Sequence, residues 1–156
     1  EEAAQALGFQ CRMLTDCLDC EAREAGRFLA SIARSHQQTE RPLAFFAGGE
    51  TVVHLTGQGL GGRNQELALA AAPGLRGTQN TAVCSFGSDG TDGPTDAAGG
   101  FVDQSSDAAL RAAGLDVPQV LAENDAYHAL QKIGGLLMTG PTGTNVNDLA
   151  MALIWR

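Results

Sequence analysis

Three carboxylates, Asp89, Asp92 and Asp96, stand close together in the phrase Gly87-Ser-Asp-Gly-Thr-Asp-Gly-Pro-Thr-Asp96, which glycines loosen and one proline stiffens. Carboxylates this close repel one another unless a cation or N–H donors sit among them. Asp89 and Asp92 are therefore candidate ligands of a hydrated Mg²⁺, an ion commonly held through one or two carboxylates with water completing its octahedron. Either could instead serve as general base toward a substrate hydroxyl. The same residues suit Asx-turns and a helix cap, a reading that fits Asp96 as well as a functional one does. The spacing does not match an EF-hand.

A second phrase, Gly57-Gln-Gly-Leu-Gly-Gly-Arg-Asn-Gln-Glu66, separates a β-branched run from an alanine-rich helical pattern. Gly61 and Gly62 free the backbone at the start of that helix, where unpaired N–H groups and the helix dipole attract an anion. Arg63 adds a planar fork of donors suited to phosphate or carboxylate oxygens, unless it pairs with Glu66 on the helix surface. Glu50 could orient Arg63, and Asn64 is either a ligand or a cap. The spacing Gly57-x-Gly59-x-x-Gly62 also meets the dinucleotide fingerprint, but Gly77-Thr-Gln-Asn80 stands where an acidic residue should hold the ribose. In a third phrase, Thr139-Gly-Pro-Thr-Gly-Thr-Asn-Val-Asn-Asp-Leu149, hydroxyl and amide groups on a flexible backbone could hold a sugar, carboxylate or phosphate. There Asn145 and Asn147 share a face if the chain is extended, and Asp148 could fix one of them.

These phrases in this order, with Gly48-Gly-Glu-Thr51 ahead of them and Glu123-Asn-Asp-Ala-Tyr127 before the last, resemble the MOFRL domain, the C-terminal domain of the glycerate 2-kinases. The resemblance runs over roughly residues 43 to 154. It implies phosphoryl transfer from ATP, with Mg²⁺, to the 2-hydroxyl of D-glycerate, in a cleft shared with a larger N-terminal domain that this sequence does not contain. It implies Arg63, Asp89 and Asp92 as catalytic residues, the two aspartates also as metal ligands. Gly61, Gly62, Asn64, Glu66, Thr91, Thr95, Thr142, Gly143, Thr144, Asn145 and Asn147 would bind substrate and nucleotide. A hydroxypyruvate reductase-type oxidoreductase and a non-catalytic module binding a small phosphorylated acid are the alternatives. The isolated chain is expected to fold without turnover.

The elements that must position these residues follow from periodicity. Strands are predicted at 9–15, 43–47, 51–56, 81–86, 98–102, 135–139 and 149–155, with pairing expected near 43–56 and again at the end. Helices are predicted at 21–37, 64–72, 105–113 and 126–133, the first with Ala22, Ala25, Phe28, Leu29, Ile32 and Ala33 on one stripe. The opening Glu1-Glu-Ala-Ala-Gln-Ala-Leu-Gly8 reads as the tail of a helix and suggests a trimmed segment. Alternating and paired elements together predict an α/β fold, a three-layer α/β/α sandwich on a mixed sheet forming one domain over 1–156. The three glycine-rich phrases would gather on one rim, at strand ends.

Composition narrows the partners. A net charge of -8 argues against general affinity for nucleic acid or an anionic membrane. No apolar run reaches bilayer length, and a cytoplasmic, soluble protein with reduced thiols is expected. Cys17-Leu-Asp-Cys20 has CxxC spacing, but no second pair completes a zinc site. A patch left exposed by excision could drive homodimerisation. Lys132 is the single lysine, so Arg63 is the main cation this chain offers to a transferring phosphoryl group.

Overall fold

The computed structural model describes residues 1–156. Its strands, β1 (Gln10–Leu18), β2 (Leu43–Gly49), β3 (Thr81–Gly87), β4 (Gly99–Asp103), β5 (Leu136–Leu137) and β6 (Asp148–Ile154), form one sheet in the order β1-β2-β6-β3-β4-β5. Only β1 and β2 pair in parallel; the other contacts are antiparallel, so the sheet is mixed as expected.

The helices are α1 (Glu2–Ala6), α2 (Ala22–Ser35), α3 (Arg63–Ala71), α4 (Ser106–Ala112), α5 (Val117–Ala122) and α6 (Ala126–Ile133), with a 3-10 turn at Ala72–Leu75. Side chains alternate across each strand, and Leu43, Phe45, Ala47, Val83, Ala150, Ala152 and Ile154 pack with α2, α3 and α6 into one buried core. At the centre of this layer α3 is buried from Asn64 to Ala71, against α2, β3 and β4. Gly26 lets α2 approach closely: a Cβ there would strike the Leu67 carbonyl.

The opposite face carries a row in register across five strands: Met13, Phe46, Met151, Cys84 and Phe101. Met13 and Phe101 remain 53% and 37% exposed. The second helical layer of the expected sandwich is represented only by the short α1 beside β1, where Glu1 and Phe9 carbonyls lie near the Cys11 thiol.

Four sequence expectations change. Phe28, expected on the buried stripe of α2, is 59% exposed, and Ala30 is buried. Residues 51–56 alternate but pair only through a Val52–Glu21 bridge, because β6 occupies the neighbouring position beside β2. The final two strands do not pair with each other: β5 shrinks to two residues on β4, while β6 inserts centrally between β2 and β3. Helix α5, with Pro118 in its first turn, is not among the predicted helices.

Candidate functional site

Antiparallel pairing on both sides of β6 builds the rim. Asp148 lies opposite Gly49 on one side and Gly87 on the other. The segments after β2 and β3 and the one before β6 therefore leave the sheet at the same edge. The three glycine-rich phrases meet there.

Arg63 opens α3 beside Asp148. Its Nε and Nη2 donate to the two carboxylate oxygens at 2.5 and 3.1 Å, and Nη1 lies 3.0 Å from Glu50 Oε1. The hydrogen bond to Asp148 raises the guanidinium pKa further, against the opposing effect of burial. The surface pairing with Glu66 considered from sequence does not occur. Asp148, expected to brace an asparagine, braces Arg63 instead.

The N-terminus of α3 already holds an anion. Asp92, 3% exposed, accepts the Asn64 and Gln65 backbone N–H groups at 3.1 and 2.9 Å and the Asn64 side-chain amide at 3.2 Å. The N-cap residue Gly62 has no side chain to offer, and a Cβ there would collide with this carboxylate. Burial raises the Asp92 pKa, while the N–H donors pull it down. Both oxygens are engaged, so the helix terminus expected to receive a ligand anion is closed by the chain's own aspartate.

Asp89 has a different setting. Its Oδ1 accepts the Thr91 N–H at 3.0 Å, which lowers its pKa, with a further contribution from Arg63. A Cβ on Gly87 would meet Asp89 Oδ1 at 3.1 Å and Asp148 Oδ1 at 3.5 Å, so both carboxylates flank that glycine. Asp89 remains an available carboxylate close to Arg63.

The remaining residues separate into three groups. Gly61, Gly62, Arg63 and Glu66 line a cavity of about 740 Å³, together with Glu50, Val52, Val53, Leu55 and Asn124. Asn64 lies beneath it, accepting from Ser85 Oγ at 2.5 Å, and Thr95 holds the Gln65 amide at 2.8 Å. Thr91 is exposed. Thr142, Gly143, Thr144, Asn145 and Asn147 are exposed on a loop folded over the aspartate loop, through Thr142 Oγ1 to the Ser88 carbonyl and Val146 N–H to Ser88 Oγ. They sit on the same rim outside that cavity.

Asn124 belongs to the phrase Glu123-Asn-Asp-Ala-Tyr127 noted from sequence. It is buried, accepts the Thr56 and Gly57 N–H groups at 2.7 and 2.9 Å, and donates to Glu66 Oε1 at 2.6 Å. Cβ atoms at Gly57 and Gly59 would collide with Glu123 and Asp125. The glycine spacing that mimics a dinucleotide fingerprint is thus explained by packing against this turn. Its positive φ of 53° suits asparagine and was a local signal, but its partners lie 58 to 70 residues away.

The sequence pattern of the MOFRL family matches residues 43–148. The chain belongs to the MOFRL family. Within it, the chain is 58% identical to the D-glycerate 2-kinase of Thermotoga maritima and 47% identical to the glycerate 2-kinase of Pyrococcus horikoshii. Each comparison covers 97% of this chain and 37% and 35% of the relatives, respectively. A protein of Agrobacterium vitis provisionally named hydroxypyruvate reductase is 41% identical over 97% of this chain and 36% of its own length. The crystal structure of glycerate kinase from Thermotoga maritima superposes with a TM-score of 0.93 at 57% identity, covering 98% of this chain and 38% of that one. The MOFRL chain described here therefore spans little more than a third of these relatives.

Proposed function

We propose that this chain is the C-terminal domain of a glycerate 2-kinase, and that its rim forms one wall of the active-site cleft. The observation that carries the reading is Arg63: a guanidinium fixed by Asp148 at the edge of a cavity of about 740 Å³, in a chain 58% identical to a D-glycerate 2-kinase. The reaction is transfer of the γ-phosphoryl group of ATP to the 2-hydroxyl of D-glycerate. Such a transfer relies on positioning and on cations that offset charge spreading over the phosphoryl oxygens.

In this scheme Arg63 grips the glycerate carboxylate or the transferring group. Asp89 accepts the hydroxyl proton or a Mg²⁺ contact, because one of its oxygens is free of the Thr91 backbone bond and it lies within reach of the Arg63 charge. Mg²⁺ would contribute charge neutralisation at the phosphates. Asp92 takes a supporting part, holding the start of α3 and hence Arg63. The exposed hydroxyls and amides of Thr142, Thr144, Asn145 and Asn147 meet ligand from the other side of the rim.

Lys132 is exposed on α6, so further cations come from the larger N-terminal domain, the second wall. The full protein works in the cytoplasm, and the apolar row on the open sheet face pairs two copies when the chain stands alone. No helix here is long and apolar enough to cross a membrane.

The reductase reading draws on the Agrobacterium name, but the glycine spacing is explained by the turn at 123–125 and no acid stands where a ribose would be held. The test is ADP release from ATP, Mg²⁺ and D-glycerate by a full-length protein carrying this chain. Arg63→Ala should lower turnover by about a hundredfold or more with folding intact, the usual cost of one oriented donor. Unchanged turnover would remove Arg63 from the site, and absence of ADP from the unsubstituted protein would refute the kinase reading.

A further inference from the structure

Arg63 is held by two carboxylates that differ in kind. Asp148 is rooted at the start of a central strand, its side chain 9% exposed, and engages Nε and Nη2 in a two-point fork. Glu50 reaches only Nη1, and its side chain is 60% exposed at the wall of the cavity. Its backbone is fixed, since the Glu50 N–H donates to the Leu18 carbonyl at 2.8 Å and Gly49 packs directly on Leu18. The side chain, by contrast, has no other hydrogen-bond partner than Arg63.

Two carboxylates on one guanidinium leave the local charge negative, a poor receptor for a carboxylate or a phosphoryl group. Arg63 keeps further N–H groups on Nη1 and Nη2, but an anion that is to sit squarely on Nη1 from the cavity side must take the place of Glu50. The buried fork costs more to break than a single exposed contact, so Glu50 is the one to yield.

We infer that Glu50 is a displaceable counter-ion: it holds Arg63 Nη1 until the oxygens of an anionic substrate take its place, while Asp148 keeps the guanidinium aimed. This rests on the reading of Arg63 as an anion receptor. Glu50 thereby sets the affinity for the anion by competing with it, and it keeps the arginine from being captured by unrelated surface carboxylates.

The test is a calorimetric titration of the full-length protein carrying this chain with D-glycerate and, separately, with inorganic phosphate. Glu50→Gln should tighten binding of at least one anion by about threefold or more, the scale of one exposed ion pair. Arg63→Ala should abolish binding in either background. Glu123→Gln removes a nearby exposed charge that does not touch Arg63, and it should change affinity by less than half as much. Tightening only with D-glycerate assigns the position to a carboxylate, and only with phosphate to a phosphoryl group. Equal or weaker binding by Glu50→Gln, no binding of either anion, or an equal effect of Glu123→Gln would overturn the inference. These outcomes are independent of ADP release, the measurement on which the kinase reading stands.

Discussion

Glu66 is a buried carboxylate at the cavity wall with only one of its oxygens hydrogen-bonded. One carboxylate oxygen accepts from Asn124 at 2.6 Å, and the other lies 3.5 Å from Arg23 Nη2 without a hydrogen bond. Burial raises its pKa above the ordinary value near 4.5, and the Asn124 bond and Arg23 pull the other way without prevailing. The folded state therefore binds this proton more tightly than the unfolded chain. That contribution to stability is complete below about pH 4.5 and is lost as pH rises through the folded pKa. Glu66→Gln keeps the Asn124 bond, and Arg23 keeps Glu21 at 2.7 Å. The stability of the parent relative to this variant should fall as pH rises above about 4.5 in urea unfolding. A constant or widening advantage for the parent would refute the assignment. Arg63 was legible from sequence because glycines and a helix start announce it locally. Asp148 and Asn124 were not, because what they do depends on strand register and on partners far along the chain.

Among the elements, the contact between α2 and α3 is the most demanding. Gly26 sits mid-helix, where alanine would ordinarily gain about 1 kcal/mol of helix propensity. The added Cβ would meet a backbone carbonyl that cannot rotate away. Overpacking costs of about 1–3 kcal/mol should prevail, and Gly26→Ala should lose at least about 1 kcal/mol in a denaturant titration. A gain would mean that the helices slide apart freely. The helical stripe of α2 and the apolar runs of β2, β3 and β6 were readable because each buries a face whose period shows in the sequence. Residues 51–56 carry strand-like alternation yet have almost no strand to pair with, since alternation records two faces and not a neighbour. Helix α5 has six residues, too few for a period to show.

For the molecule as a whole, one sheet face is covered and the other presents Met13, Phe46, Met151, Cys84 and Phe101. Burial pushes the Cys84 thiol up to about 12, so this sulfur acts as an apolar group within the row. Phe46 is itself buried, so the surface this row offers lies at its ends, Met13 and Phe101, and exposed apolar side chains of this kind favour association in water. The isolated chain should therefore self-associate in light scattering as concentration rises, and Met13→Lys should weaken that association. A monomeric mass throughout would refute it. The class and mixed character of the sheet were visible in the order of elements. How completely each face is covered was not, because cover depends on helix placement.

The central position of β6 also bears on how the molecule is made. Both of its neighbours depend on it, so during synthesis on the ribosome β1-β2 and β3-β4 remain two unjoined half-sheets until residues 148–154 emerge. Their inner edges stay open to other nascent chains throughout that interval. The strand that completes the sheet also delivers Asp148, so Arg63 acquires its clamp at the moment the two halves close.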